Sequence, residues 1–81
     1  MISINNHLFI PRDCFSHSEI NNHDTYGKSL TIFYKGYNNY SITISTNSIN
    51  QIDVLDKIKS RLEQVDDNAI KLTGMRIINQ A

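Results

Sequence analysis

Residues 30–45 read LTIFYKGYNNYSITIS, and this stretch predicts a β-hairpin around which the fold is built. Large apolar residues take every second position on both arms, at Leu30, Ile32, Tyr34, Ile42 and Ile44. A side-chain period of two indicates strands with one apolar face. The residues Gly-Tyr-Asn-Asn at 36–39 are typical of a turn between the arms. The hairpin therefore presents an apolar face that another element has to cover.

A helix is predicted directly after the hairpin. Ser48 and Gln51 fit a capping box, in which each side chain bonds an unpaired backbone N–H at the helix start. Apolar residues then recur at spacings of three and four, at Ile52, Leu55, Ile58, Leu62 and Val65. Such spacing places them on one stripe of an α-helix. We expect this stripe and the apolar face of the hairpin to pack on each other.

The chain before the hairpin is less regular. Residues 2–10 predict a first strand, which Asn5 and Asn6 either interrupt or convert into a hairpin turn. Residues 13–20 predict a second strand, because apolar and polar residues alternate there, although imperfectly. Residues 21–27 are rich in turn formers and predict a loop.

The tail of the chain is either a strand or a short helix. It carries five large apolar residues, at Ile70, Leu72, Met75, Ile77 and Ile78, with Gly74 breaking the pattern. Chain ends normally fray unless they are tied down. We therefore expect the tail to dock on this domain or on a second copy of it.

Together these elements predict one α+β domain over residues 1–81. Its core would be a small antiparallel sheet of three to five strands, with one main amphipathic helix packed on one face. A chain of 81 residues buries a limited core, and its single cysteine excludes an internal disulfide. Small domains of this kind often gain stability from a metal or a partner chain.

The charge balance argues against nucleic acid as a partner. The chain has 8 basic and 8 acidic residues, whereas nucleic-acid-binding domains usually carry a basic excess. Weak binding through Lys28 and Lys35 is one alternative, although two lysines on a hairpin more often protect a sheet edge. No apolar run approaches the roughly 20 residues of a membrane span, and no secretion signal is recognisable. We expect a cytoplasmic protein without membrane contact.

The three histidines and the cysteine are the only candidates for a metal site. His7, Cys14, His17 and His23 lie close together in sequence, and four such ligands could close a tetrahedral zinc site. Their spacing differs from the paired cysteine knuckles of common zinc domains. The alternative is that the four are unrelated, with Cys14 a small core residue. We expect no metal, and a metal-binding or redox-sensing domain is the alternative function.

No enzyme or cofactor signature is recognisable. A cysteine nucleophile at Cys14 with His17 as base would still need an orienting group and an oxyanion donor. The isolated glycines Gly27, Gly36 and Gly74 form no phosphate-binding loop. We therefore expect a non-catalytic protein without a cofactor.

Aromatic residues concentrate around the hairpin, at Tyr26, Phe33, Tyr34, Tyr37 and Tyr40. Tyrosine is enriched in interfaces because it buries a large area and keeps a polar end, although cross-strand packing also uses it. We predict that the chain is a protein–protein interaction module and that it forms a homodimer. Its size fits a bacterial or phage accessory regulator or inhibitor. The candidate interface residues are Phe33, Tyr37, Ile70, Met75, Ile77 and Ile78.

The first testable prediction concerns the core, which we expect to contain Ile32, Ile42, Ile44, Leu55, Ile58 and Leu62. Truncating Leu55 to alanine should lower the free energy of unfolding by about 2–5 kcal/mol, the usual cost of a core truncation. Chemical denaturation measures this value. A loss below about 0.5 kcal/mol, typical of surface sites, would show that the helix stripe faces solvent.

The second prediction concerns zinc. We expect the purified protein to contain no stoichiometric zinc and to stay folded when a chelator is added, because a structural zinc site contributes folding free energy. Elemental analysis and a chelator titration followed by circular dichroism measure both properties. One equivalent of zinc, lost in Cys14→Ser, would instead establish the metal-binding alternative.

Overall fold

The structure is a computed structural model that describes residues 1–46, 52–64 and 68–81. Its elements, in chain order, are β1 (Ile2–Ile4), β2 (Leu8–Ile10), a 3-10 turn (Arg12–Cys14), β3 (Phe15–His23), β4 (Gly27–Tyr34), β5 (Ser41–Thr46), α1 (Ile52–Glu63), β6 (Ile70–Leu72) and β7 (Met75–Gln80). The predicted α+β class with one main helix on a mostly antiparallel sheet is confirmed. The predicted caps Ser48 and Gln51, and Val65 of the stripe, lie outside the described residues.

The strands form two sheets rather than one. Sheet A has the order β2-β1-β6, and sheet B has the order β3-β4-β5-β7. All pairs in sheet B are antiparallel, whereas β1 and β6 of sheet A are parallel. The tail supplies one strand to each sheet, and the chain passes between them at Gly74, which has a φ of 67°. Glycine adopts such a positive φ without steric cost.

The predicted hairpin forms the centre of sheet B. Leu30 pairs with Ile44 and Ile32 with Ile42, so the apolar residues of both arms share one face. The turn between the arms requires glycine at position 36, because a Cβ there would lie 2.1 Å from the carbonyl oxygen of Asn39. Burial raises the pKa of the Tyr34 phenol, and a hydrogen bond between this phenol and the side chain of Asn39 opposes part of the shift.

One core is shared by both sheets and the helix. α1 packs against β3, β4 and β5 of sheet B, and all six core residues predicted from the sequence are buried. Sheet A adds the residues that the sequence pattern does not place, namely Ile2, Ile4, Ile10, Ile70 and Leu72. The helix stripe therefore covers sheet B only in part, and sheet A completes the core.

The structure decides two expectations for the flanking segments. The predicted loop over residues 21–27 is wrong at its ends and holds only for the turn at residues 24–26, because β3 runs through His23 and β4 begins at Gly27. The polar residues there are held by strand pairing, with Asn21 opposite Ser29 and Asn22 opposite Lys28, rather than by apolar burial of their own. Of the two alternatives for residues 2–10, the hairpin is confirmed, because β1 and β2 pair antiparallel on either side of a turn that contains Asn5 and Asn6.

Arginine 12 connects the 3-10 turn to the end of the helix. Its guanidinium donates to the carbonyl oxygen of Leu62 at 3.0 Å and also to that of Gln64. The last carbonyls of a helix lack partners within it and carry partial negative charge, so a cation there is stabilising. This contact fixes the C-terminal end of α1 against the start of β3.

Asparagine 5 joins the two sheets. Its side-chain amide donates to the carbonyl oxygen of Met75 at 2.8 Å, and its side-chain oxygen accepts from the N–H of Met75 at 2.9 Å. Its backbone N–H donates to the carbonyl oxygen of Leu72 at 2.6 Å. Asn5 and Asn6 both have positive φ, 56° and 55°, which asparagine tolerates better than most residues.

The third prediction tests this junction with glycine variants, which relieve the positive φ at either position. Asn5→Gly loses both side-chain bonds to Met75 and should lower the free energy of unfolding by about 1–3 kcal/mol, the net value of two hydrogen bonds. Asn6→Gly is the matched control, because it changes the same kind of backbone position at the exposed neighbouring residue. Chemical denaturation measures both values. Equal losses of unfolding free energy in the two variants would contradict a role for the Asn5 amide.

Candidate functional site

The candidate functional site is a groove of about 380 Å³ between α1 and β6. It is lined by Val54, Lys57, Ile58, Arg61, Ala69, Ile70, Lys71 and Leu72. The floor is apolar, since Ile58, Ile70 and Leu72 are buried. Lys57 and Lys71 are exposed and Arg61 is half-buried, so cations stand at the rim.

The helix contributes two parallel rows of side chains to this groove. Val54 and Ile58 are four residues apart and form an apolar row, and Lys57 and Arg61 form a cationic row beside it. Residues at this spacing are neighbours on a helix surface. One wall of the groove is therefore apolar at its base and positively charged at its edge.

The opposite wall is a strand with one unpaired edge. The N–H of Ile70 donates to the carbonyl oxygen of Met1 at 3.0 Å, and the carbonyl oxygen of Leu72 accepts from Asn5. Backbone groups of successive strand residues point to alternate sides, so the N–H and C=O of Lys71 point away from β1. Among the described residues no strand pairs with this second edge of β6.

The groove is positively charged although the chain is neutral overall. Among the residues that the structure describes, no carboxylate lines the groove. Two other lysines have carboxylate partners, since Lys28 contacts Asp56 at 2.5 Å and Lys59 pairs with Glu63. Arg61 donates to the side-chain oxygen of Gln64 at 2.7 Å. A ligand with negative charge therefore matches the rim of the groove.

The sequence cluster of histidines and cysteine does not become a cluster in space. His7 is exposed in the β1–β2 turn, and Cys14 is half-buried at the end of the 3-10 turn. His23 accepts hydrogen bonds from the N–H groups of Thr25 and Tyr26, which stabilise the β3–β4 turn. Within residues 1–46, 52–64 and 68–81, no three His, Cys, Asp or Glu side chains are placed to hold a metal ion.

Two aromatic rings near the hairpin have partners on the outer face of sheet B. The ring of His17 stacks on Phe33, with 4.4 Å between centroids. The guanidinium of Arg76 lies 4.8 Å from the ring centroid of Tyr26. The Arg76 side chain therefore reaches from β7 across the sheet to the β3–β4 turn. These contacts account for part of the aromatic content through packing within the domain.

The six predicted interface residues have different environments. Tyr37 is fully exposed and Ile77 is 37% exposed, whereas Phe33, Met75 and Ile78 are half-buried. Ile70 is only 6% exposed, and it lines the floor of the groove between α1 and β6. It is buried because its pairing with Ile2 in sheet A turns its side chain into the core.

The cations of the groove were not identified from the sequence. Lys57 and Arg61 lie off the predicted apolar stripe of the helix, and Lys71 lies in a tail for which the sequence left strand and helix open. One usable signal was the alternation of Ile70, Lys71 and Leu72, which is typical of a strand with one exposed lysine. Nothing in the sequence indicates that this strand and α1 border the same groove.

The described parts of the chain contain no helix with the length and hydropathy of a membrane span. Comparison of the chain with protein-family models, with curated proteins and with solved structures gives no match.

Proposed function

We propose that the protein is a non-catalytic protein–protein interaction module that binds a segment of its partner in the groove between α1 and β6. The observation that carries the proposal is the combination, in one groove, of an apolar floor, a cationic rim and an unpaired strand edge. The apolar floor, the exposed lysines Lys57 and Lys71 of the rim and the strand edge are each open to a ligand. A polypeptide segment can satisfy all three, because it brings apolar side chains, charged side chains and backbone hydrogen-bonding groups.

The chemistry of the lining supports binding rather than catalysis. Aliphatic side chains and cations can hold a ligand and neutralise an anion. General acid–base catalysis near neutral pH most often uses histidine, or a carboxyl or thiol group with a tuned pKa. No histidine, carboxyl or thiol group is among the described residues that line the groove, and its two lysines, Lys57 and Lys71, are exposed.

Self-association is a second proposal with a narrower basis. Part of the tail is used inside the domain, because Ile70 and Leu72 are buried in sheet A. A homodimer would therefore have to use those candidate interface residues that stay at the surface, mainly Tyr37, Ile77 and the half-buried Phe33.

As an accessory regulator or inhibitor, the protein would act by binding a segment of its partner that the partner needs for a contact with another molecule.

The fourth prediction tests the groove without assuming a ligand sequence. A random peptide library is selected on the immobilised protein, and the affinities of enriched peptides are measured by fluorescence polarisation. We expect Ala69→Trp to weaken their binding at least about tenfold, or about 1.4 kcal/mol, by filling the groove. Ala69 is an exposed lining residue, so the substitution leaves the core intact.

The matched control is Ser60→Trp, which adds the same ring to an exposed helix position outside the groove. We expect the enriched peptides to bind this variant as they bind the unaltered protein. A selection that enriched no peptide, or peptides that bound Ala69→Trp with full affinity, would refute the proposed function.

A further inference from the structure

We infer that the occupant of the groove is an extended, acidic segment of another protein, which adds to sheet A as a new strand beside β6. This inference rests on the proposed function and specifies the chemistry and conformation of the ligand. Three properties of the groove lead to it, namely the backbone groups of its strand, the alternation of its side chains and the sign of its charges.

The backbone of β6 favours an extended ligand. Lys71 points its N–H and C=O away from β1, toward an edge that no described strand occupies. An extended peptide can bond both groups and thereby extend the sheet, which is a common mode of peptide recognition. A helical ligand has its own backbone groups paired internally and cannot form these bonds.

The side chains beside this edge alternate between apolar and basic. Ile70 and Leu72 face the core side of sheet A, and Lys71 faces the opposite side. A strand placed beside β6 would follow the same alternation. Its residues on the core side would meet the floor at Ile58, and the residue opposite Lys71 would face an ammonium group.

The charges select the partner. Lys57, Arg61 and Lys71 surround the groove, so carboxylates on the ligand are attracted and further cations are repelled. A second copy of the chain is a poor occupant. Antiparallel pairing of two β6 edges across a two-fold axis would place Lys71 opposite its own equivalent, and like charges facing each other destabilise a strand pair. Lysine on an edge strand thus opposes self-pairing while leaving the edge open to an acidic strand.

Three fluorescein-labelled peptides test this inference. Their central sequences are Val-Glu-Val-Glu-Val, Val-Ser-Val-Ser-Val and Val-Lys-Val-Lys-Val, with the same Gly-Ser flanks, and binding is followed by fluorescence polarisation. We expect the glutamate peptide to bind at least about tenfold more tightly than the lysine peptide, and added salt to reduce this preference by screening exposed charges. Equal affinity for all three peptides would overturn the inference.

A charge reversal then locates the contact. Lys71→Glu should weaken binding of the glutamate peptide and strengthen binding of the lysine peptide, because the cross-strand pair changes sign. Lys35→Glu is the matched control, with the same charge change at an exposed lysine outside the groove, and it should leave the preference unchanged. Circular dichroism verifies that both variants are folded. Equal responses of the two variants would show that the preference comes from net charge rather than from the groove.

N-methylation of the peptide tests strand addition. A methyl group on an amide that faces β6 removes a donor, whereas a methyl group on the next amide faces solvent. We expect only one of these two peptides to lose affinity, following the alternation of backbone groups in a strand. Equal affinity of both methylated peptides would exclude backbone pairing.

The outcomes separate this inference from the proposed function. Library peptides that are neutral or helical and that lose affinity in Ala69→Trp would preserve the proposed function and overturn the inference. Failure of the library selection would overturn both. A labelled single-stranded oligonucleotide that bound the unaltered protein and lost affinity in Lys71→Glu, while the glutamate peptide did not bind, would assign the groove to phosphate and also overturn the inference.

Discussion

The apolar face of the β4–β5 hairpin is larger than one helix can cover, and the remaining architecture follows from this constraint. α1 packs on β3, β4 and β5, and the three short strands of sheet A supply further apolar side chains to the same core. Ile2, Ile4 and Ile10 come from one end of the chain, and Ile70 and Leu72 come from near the other. The burial of apolar area therefore brings segments that are distant in sequence into one core. The groove lies between sheet A and the helix, at β6 and α1.

Local periodicity was sufficient to predict the hairpin, the helix and the main core residues. It failed where the structure depends on pairing between distant segments. The parallel alignment of Ile2 with Ile70 leaves no local signal, and the polar residues of β3 resemble a loop because their order comes from β4. Four members of the groove wall, Val54, Lys57, Ile58 and Arg61, could be placed on a helix from the sequence. Their proximity to the edge of β6 depends on tertiary structure alone.

The groove also shows how a neutral chain can have a locally charged surface. The described helix carboxylates Asp53, Asp56 and Glu63 are not among its lining residues, and Asp56 and Glu63 pair with lysines elsewhere. Lys57 and Lys71 are exposed at its rim beside an apolar floor. Net charge predicts long-range attraction, whereas the arrangement of charges around one cleft determines which ligand it prefers. The balanced composition argues against a phosphate track but leaves this local preference open.

The parallel pairing of β1 with β6 has a consequence for how the chain acquires its structure during synthesis. The ribosome releases residues 2–10 early, so β1 can pair with β2 at once, but β1 cannot pair with β6 until residues 70–72 have emerged. Contacts that are so far apart in sequence form slowly, because a long loop has to close before they contribute. The hairpin and the helix can form before this step, whereas the outer edge of β6 exists only after it. A nascent chain that lacks β6 therefore has no edge for the strand capture that we propose, and such recognition would begin only once residues 70–72 have joined sheet A.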